Sequence, residues 1–129
     1  MNVFEARKVL ESKMTDRCKI YRRKTVRNTD NTTAVILPTE PLHTDVHCRI
    51  SFIRYKVENP ADVEVDENPT RMVPKIFFPV FTDIKAGDRV ELARISVEGE
   101  ILLTYSGTLG LPAAYDTHTE VMLNVDTSA

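Results

Sequence analysis

The sequence predicts a mainly β fold: a small antiparallel β-barrel or sandwich of about six to seven strands with one short N-terminal helix. Over most of the chain after residue 14, apolar and polar residues alternate with the period of a strand. Turn-forming residues interrupt this alternation about every 8 to 12 residues. No helical pattern separates the alternating segments, which argues against a parallel α/β sheet. The chain of 129 residues has the length of one domain, so residues 1–129 are predicted to form a single β-barrel domain.

The N-terminal helix is predicted within residues 1–14. Asn2 can cap its first turn, and Glu5 follows three residues later, as in a capping box. One apolar stripe at helical spacing consists of Val3, Ala6, Val9, Leu10 and Met14. A helix of about 12 residues is only marginally stable alone in water, so we expect this stripe to dock on the barrel or on a neighbouring molecule.

The barrel is predicted over residues 15–125, with residues 126–129 as a frayed tail. Residues 16–27 are interpreted as one alternating strand, which is followed by the turn formers "NTDNTT" and the short strand "AVIL". The alternation is clearest in "DVHCRISFIRY", and the next strand, "RMVPKIFFPVF", contains prolines that suit an edge or an end. A hairpin with the turn Glu98-Gly99-Glu100 joins "RVELARISV" to "ILLTYSG", and the last strand is "TEVMLNV".

Residues 57–70 form an acidic segment with two prolines and no basic residue. Its acidic residues are Glu58, Asp62, Glu64, Asp66 and Glu67. A connection this long inside a compact β domain is either functional or disordered, and its self-repelling charge favours an extended loop. The alternative is a solvated surface hairpin without a function.

Charge is distributed unevenly along a chain whose net charge is −2. Residues 1–27 hold nine Lys/Arg and three Asp/Glu, which sum to +6, and residues 28–129 hold eight and sixteen, which sum to −8. A basic end and an acidic body can serve nucleic acid, an acidic partner or head-to-tail packing of identical subunits. The predicted basic face consists of Arg22, Arg23, Lys24 and Arg27. The alternative is that these side chains are simply solvated.

Residues of metal-binding types cluster in "LHTDVHCRISF", at positions 42–52. On a strand, His47 and Cys48 point to opposite faces and cannot bind the same ion. His43 and His47 would share a face but lie about 13 Å apart at the usual strand rise, and zinc ligands lie only about 2.0 to 2.3 Å from the metal. Cys48 alternates in phase with apolar neighbours, so we predict a buried structural thiol and no metal site.

Neither a disulfide framework nor a membrane span is predicted. The two cysteines, Cys18 and Cys48, are expected to be reduced thiols because no apolar signal segment opens the chain. No stretch approaches the ~20 apolar residues that cross a bilayer. We therefore expect a soluble protein made in a cytoplasm, with no membrane partner.

The motif search gives no support for an enzyme. His118 follows Asp116 with threonines on both sides, but no nucleophile elbow and no glycine-rich phosphate loop accompany it. We therefore expect no catalytic residues, no cofactor and no enzymatic activity. The stronger alternative is a small β-barrel that binds single-stranded nucleic acid or another protein, with Tyr21 beside the basic face as a stacking platform.

Four segments in a fixed order carry a resemblance to a known family. They are "MTDRCKIYRRK", "VHCRISF", "KIFFPVFTDIKAGDRVEL" and "YDTHTEVML". Their order and spacing resemble those of the head-closure, or head–tail connector, proteins of long-tailed phages and phage-like elements, also called stopper or head-completion proteins. The family motifs fall on residues 14–21, 48–52, 76–88 and 115–121, and the resemblance covers roughly residues 14–125.

The resemblance implies a structural virion protein of the phage neck. Such proteins form a homo-oligomeric ring, commonly of six or twelve subunits, between the portal and its adaptor on one side and the tail-completion or tail-terminator protein on the other. The ring helps to retain packaged DNA, which it meets in the channel without sequence specificity. The implied location is the virion, with the host cytoplasm as the site of assembly, and no catalytic residues are implied.

The charge pattern suggests how residues could be used in such a ring. Complementary basic and acidic surfaces allow copies to pack heterologously, so we predict that the basic face contacts a neighbouring subunit. A long acidic loop in a DNA channel would repel phosphates. We therefore predict that residues 57–70 line the lumen or contact the next ring.

Overall fold

The computed structural model describes residues 2–56 and 70–126. In this part of the chain one helix precedes nine strands. The elements are α1 (Val3–Ser12), β1 (Asp16–Tyr21), β2 (Lys24–Arg27), β3 (Thr33–Ile36), β4 (His43–Lys56), β5 (Thr70–Phe78), β6 (Arg89–Ile95), β7 (Ile101–Leu109), β8 (Ala113–Ala114) and β9 (Thr119–Val125).

Six antiparallel strands close into a barrel. Their order is β5-β4-β1-β6-β7-β9, and β5 pairs with β9 to complete the ring of strands. The short strand β8 pairs with the start of β9, at Thr119 and Glu120. The predicted small antiparallel β-barrel with one N-terminal helix is therefore confirmed, and six closing strands fall within the predicted range.

The core lies inside the barrel and is built by the alternating residues that the sequence pattern marks. In β1 the burial alternates residue by residue, so Cys18 and Ile20 face inward while Lys19 between them is exposed. Every barrel strand contributes. The buried cluster consists of Cys18, Ile20, Cys48, Ile50, Ile76, Phe78, Val90, Leu92, Leu109, Val121 and Leu123. Burying this apolar surface is the main source of stability for the barrel.

Asp16 is a buried acidic residue beside this apolar core, and its side chain connects three strands. Its side chain is buried, with 4% of its surface exposed. One carboxylate oxygen accepts the backbone N–H of Ile50 in β4 at 3.0 Å, and the other accepts that of Ile95 in β6 at 3.1 Å. The carboxylate therefore fixes the start of β1 against both of its neighbours.

Strands β2 and β3 leave the barrel and form a hairpin of their own. They pair only with each other within the described chain, from Lys24 opposite Ile36 to Arg27 opposite Thr33. We call residues 23–37 the arm. The prediction that residues 16–27 form one strand is therefore wrong. The chain breaks at Arg22 and Arg23 because their side chains bond to the turn between β5 and β6.

The helix is capped as predicted but packs less fully than its apolar stripe suggests. The Asn2 side chain accepts the backbone N–H of Glu5 at 2.9 Å. No residue of α1 is buried, and Val9 is 44% exposed. One contact to the barrel region runs from Arg7 Nε to the carbonyl oxygen of Asp116, at 2.8 Å. The stripe therefore docks only partly on this chain.

Close packing between β7 and β9 requires a glycine. A Cβ placed on Gly107 would lie 2.3 Å from the carbonyl oxygen of Asn124, so the backbone of β9 would have to move. We expect Gly107→Ala to lower the free energy of unfolding by about 2 kcal/mol, as overpacking typically does. The measurement is urea denaturation of both proteins.

Gly110→Ala is the matched control for this substitution. The nearest heavy atom to a Cβ at Gly110, the carbonyl oxygen of Met122, is 3.6 Å away, which is ordinary contact. We expect a change within about 0.5 kcal/mol there, because the added methyl group fits and the unfolded chain becomes stiffer. Equal losses at the two glycines would contradict the packing argument.

Candidate functional site

A cluster of charged side chains, which we call the Arg22 clamp, joins the end of β1 to the turn between β5 and β6. Arg22 Nε and Nη2 donate to the two carboxylate oxygens of Asp88 at 3.0 and 2.9 Å. Nη2 also donates to Asp83 at 3.1 Å, and His43 Nε2 donates to the other oxygen of Asp83 at 2.8 Å. Asp88 is 2% exposed and additionally accepts the backbone N–H of Lys85 at 2.8 Å.

Two members of the clamp, Asp83 and Arg22, are held in their charged forms. The hydrogen bond from His43, followed by that from Arg22, holds the pKa of Asp83 below its usual value. The bonds to Asp88 raise the pKa of the Arg22 guanidinium above its usual value. Such a two-pronged guanidinium–carboxylate pair fixes geometry as well as charge, so the clamp sets where the arm leaves the barrel.

A second cluster lies where the last strand begins. His118 Nε2 donates to Glu120 Oε1 at 3.0 Å, and Lys75 Nζ donates to Glu120 Oε2 at 3.0 Å. Thr117 Oγ1 lies 2.8 Å from the other ring nitrogen of His118. The His118 ring also stacks on Tyr115, with 5.1 Å between ring centroids. Because both ring nitrogens of His118 have partners and Glu120 also bonds to Lys75, this cluster fixes β9 against β5.

The cluster predicts a pH dependence of stability. The hydrogen bond from His118, followed by that from Lys75, holds the pKa of Glu120 below its usual value. Its stabilising contribution is therefore complete above the unfolded pKa of about 4.3 and is lost as the pH falls through the lower folded pKa. We expect Glu120→Gln to lower the free energy of unfolding by about 1 to 2 kcal/mol at pH 7. The difference in unfolding free energy between the variant and the unsubstituted protein should shrink below roughly pH 4.5. Urea denaturation between pH 7 and pH 3 measures this difference. A difference that stays constant over this pH range would contradict the lowered pKa of Glu120.

The cysteine and histidine residues of the predicted strand do not converge on one point. Cys48 is fully buried, whereas His47 is exposed and His43 belongs to the Arg22 clamp. Contact with Cys18 and burial raise the pKa of the Cys48 thiol, so it stays protonated at neutral pH. Both cysteines are free thiols. Among the described residues, no group of three or more His, Cys, Asp or Glu side chains could hold a metal ion.

The predicted basic face is divided by the fold. Arg22 is held by Asp88 and Asp83, and Arg23 Nη1 donates to the carbonyl oxygen of Gly87 at 2.8 Å. Lys24 and Arg27 lie on β2 in the arm, and both are exposed. Arg22 and Arg23 therefore anchor the base of the arm, and Lys24 and Arg27 lie further along it.

The predicted acidic loop falls outside the described residues. Its five acidic positions, Glu58, Asp62, Glu64, Asp66 and Glu67, lie within residues 57–69. The structure describes the two strands that flank this segment, β4 up to Lys56 and β5 from Thr70, and these strands pair antiparallel. The prediction for the loop stays a prediction.

Large apolar side chains are exposed at separate places on the surface. On the arm, Val35 is 67% exposed. The hairpin of β6 and β7 ends in a second such surface, which we call the tip and define as residues 95–105. Three consecutive apolar residues of the tip, Ile101, Leu102 and Leu103, are 64, 57 and 55% exposed. Contiguous exposed apolar surface marks protein contact sites in otherwise soluble domains.

A third exposed apolar surface lies beside the helix. Phe81 is 87% exposed and has a backbone φ of 68°, a left-handed conformation that is unusual for a bulky residue. The Arg7 guanidinium lies over the rings of Phe81 and Phe4, at 5.6 and 5.5 Å from their centroids. The strained turn therefore presents an aromatic side chain to solvent.

Sequence reasoning missed both side-chain clusters. Their residues were visible as separate pieces, in the Arg22-Arg23 pair, the turn that ends at Asp88 and the segment around His118. The distance along the chain from Arg22 to Asp88 is 66 positions. A charged residue next to a predicted turn is the signal that could have suggested such a pairing, but its partner depends on the closure of the barrel.

No protein-family model matches the chain, and neither does any curated protein or solved structure. In the described part of the chain, no helix combines the length and the apolar character needed to cross a membrane. The functional argument therefore depends on the four sequence segments that occur in a fixed order and on the surfaces described above.

Proposed function

We propose that this protein is a structural subunit of a phage neck, a head–tail connector that forms a ring between the DNA-filled head and the tail. The observation that carries the proposal is the order and spacing of the four segments that resemble head-closure proteins. Portal or adaptor protein and tail-completion or tail-terminator protein are the proposed partners. Packaged DNA would occupy the channel of the ring.

The positions of the motif residues in the fold support a structural role for these four segments. In the first segment Met14, Asp16 and Cys18 are buried, and in the second Cys48 and Ile50 are buried. The third segment supplies Asp83 and Asp88 to the Arg22 clamp, and the fourth supplies His118 and Glu120 to the second cluster. Residues that hold a barrel together and fix its turns are what a ring subunit needs, because its partners must meet a rigid surface.

The exposed apolar surfaces also support an assembly role. The arm and the tip project apolar side chains that the isolated chain leaves in water. Contact with other subunits or rings would bury them and would recover roughly 25 cal/mol for each Å² of apolar surface removed from water.

The alternative, a barrel that binds single-stranded nucleic acid, fits the side-chain contacts less well. It requires Tyr21 and Arg22 as part of an open basic groove. Arg22 is instead bound to Asp88 and Asp83, and the Tyr21 hydroxyl donates to Glu91 at 3.4 Å. Binding of phosphate groups by Arg22 would require the clamp to open, because Arg22 would have to leave Asp88 and Asp83.

Localisation in assembled particles tests the proposal. The protein would carry an epitope tag at its C-terminus in the phage or prophage that encodes it, and purified infectious particles would be labelled with gold-conjugated antibody. We expect label at the joint between head and tail and a ring-like number of copies for each particle. Particles that contain none of the tagged protein, while an equally tagged tail protein is detected, would refute the proposal.

A further inference from the structure

The tip contains an open strand edge. Strand β7 pairs with β6 from Ile101 to Thr108, with a register shift between Ile101 and Leu103, but β9 covers its other side only from Gly107 to Leu109. The last described bond on that side runs from the Asp126 N–H to the Ser106 carbonyl oxygen. Within the described chain, residues 101–105 therefore have no strand partner on their second side.

This open edge carries no charged residue and no proline, although its pairing with β6 shifts register between Ile101 and Leu103. Exposed edges in natural proteins are commonly guarded by charged residues, proline, an inward-pointing charge or a β-bulge, because an unguarded edge pairs with other chains. Residues 101–105 read "ILLTY" and contain no charge, no proline and no glycine. Ile101, Leu102 and Leu103 are all exposed, so apolar side chains flank this edge.

The arm offers a matching edge. Strand β3 pairs only with β2 in the described chain, so its other side is open as well. Its exposed apolar residues Val35 and Ile36 continue into the exposed Leu37. Two short edges of four to five residues, both with exposed apolar side chains, can add to each other as neighbouring strands.

Charge favours this pairing over the pairing of two tips or two arms. The arm, residues 23–37, contains Arg23, Lys24, Arg27 and one acidic residue, Asp30, which sum to +2. The tip, residues 95–105, contains two acidic residues and no basic residue, which sum to −2. Opposite charge attracts arm to tip, and like charge disfavours each symmetrical contact.

The arm and the tip of one molecule lie at opposite ends of β1. The arm follows the C-terminal end of this strand at Tyr21, whereas the tip begins at Ile95, whose N–H is bonded to Asp16 at the N-terminal end. Six residues of strand separate these ends by about 17 Å at the usual rise. The arm of one molecule is therefore placed to meet the tip of another.

We propose that β3 in the arm of one copy adds as a strand to the open edge of β7 in the tip of a second copy. The contact joins two different surfaces, so it is heterologous and builds a closed ring or an open filament, according to the rotation between neighbours. This proposal deepens the proposed function and rests on it for the closed ring. Strand pairing between copies can nevertheless be tested on the purified protein alone.

Cysteine crosslinking between two singly substituted proteins is the test. Val35→Cys would be mixed in turn with Ile101→Cys, Leu102→Cys and Leu103→Cys, and disulfide formation would be driven by a mild oxidant. The native thiols are buried and do not compete. We expect a two-chain product in at least one mixture, at more than ten times the yield of Val35→Cys alone.

Leu111→Cys mixed with Val35→Cys is the matched control. Leu111 is an exposed leucine, 84% accessible, outside both the arm and the tip. A yield with Leu111→Cys equal to that with the tip variants, or no two-chain product in any tip mixture at millimolar protein, would overturn the proposal. If crosslinking fails while the protein is found at the phage neck, the ring uses other surfaces. If crosslinking succeeds while the protein is absent from particles, the pairing stands and the neck function falls.

Discussion

Replacing Asp16 with alanine is expected to lower the free energy of unfolding by about 3 kcal/mol. The carboxylate accepts backbone N–H groups from two neighbouring strands, at Ile50 and Ile95, and alanine leaves both donors without this partner. An unsatisfied buried donor costs about 1 to 3 kcal/mol, and the Ile95 donor is only partly buried, which limits the sum. Urea denaturation followed by circular dichroism measures the loss.

Asp45→Asn is the control for the Asp16 prediction. Asp45 is also an aspartate beside β1, paired with Arg17 at 3.3 Å, but its side chain is 78% exposed. Exposed ion pairs contribute about 0 to 1 kcal/mol, and asparagine tolerates the positive φ of 53° at this position. A loss at Asp16 no larger than that at Asp45 would contradict the role of Asp16 as a connector of strands.

Replacing Arg22 with methionine is expected to cost about 3 kcal/mol, the second large effect. Methionine keeps most of the apolar stem but leaves the Asp88 carboxylate, 2% exposed, without its guanidinium partner. Removing one member of a buried ion pair is strongly destabilising because the remaining charge is buried and uncompensated. We also expect the arm to become more accessible to limited proteolysis, since the clamp fixes the point where it leaves the barrel.

Arg23→Met is the matched control for Arg22→Met. Arg23 is exposed and, among the described residues, bonds only to the carbonyl oxygen of Gly87, so its loss should cost less than about 1 kcal/mol. The double substitution Arg22→Met with Asp88→Asn should cost less than the sum of the single ones, because the two residues are in contact. Strict additivity in this cycle would show that the two side chains do not act as a pair.

The sequence predicted the barrel because its strands carry a period-two pattern with inward-facing apolar residues. Cys18, Ile20, Cys48 and Ile50 occupy the buried face that alternation assigns to them. The glycine turns at Gly87 and Gly99 also lie where predicted, both with positive φ. Local periodicity and turn chemistry are short-range properties, so they can be read along the chain.

What the sequence did not predict depends on contacts between distant positions. The arm separates from β1 because Arg22 and Arg23 bind a turn more than 60 positions away. The alternating residues 16–27 contain no local signal for that break. The open edge of β7 likewise follows from where β9 ends in the sheet. Side-chain clusters and free edges are properties of the closed barrel, which the pattern of one strand does not contain.

Deletion of the gene is the most direct test of the neck function. The gene would be removed from the phage or prophage that encodes it, the phage induced, and the particles imaged by electron microscopy, with the intact gene supplied in trans as the control. The proposed function predicts separate tails and heads that are empty or leak DNA, and restored joining in the control. Normal, infectious, joined particles without the gene would contradict it and would favour a nucleic-acid-binding or accessory module.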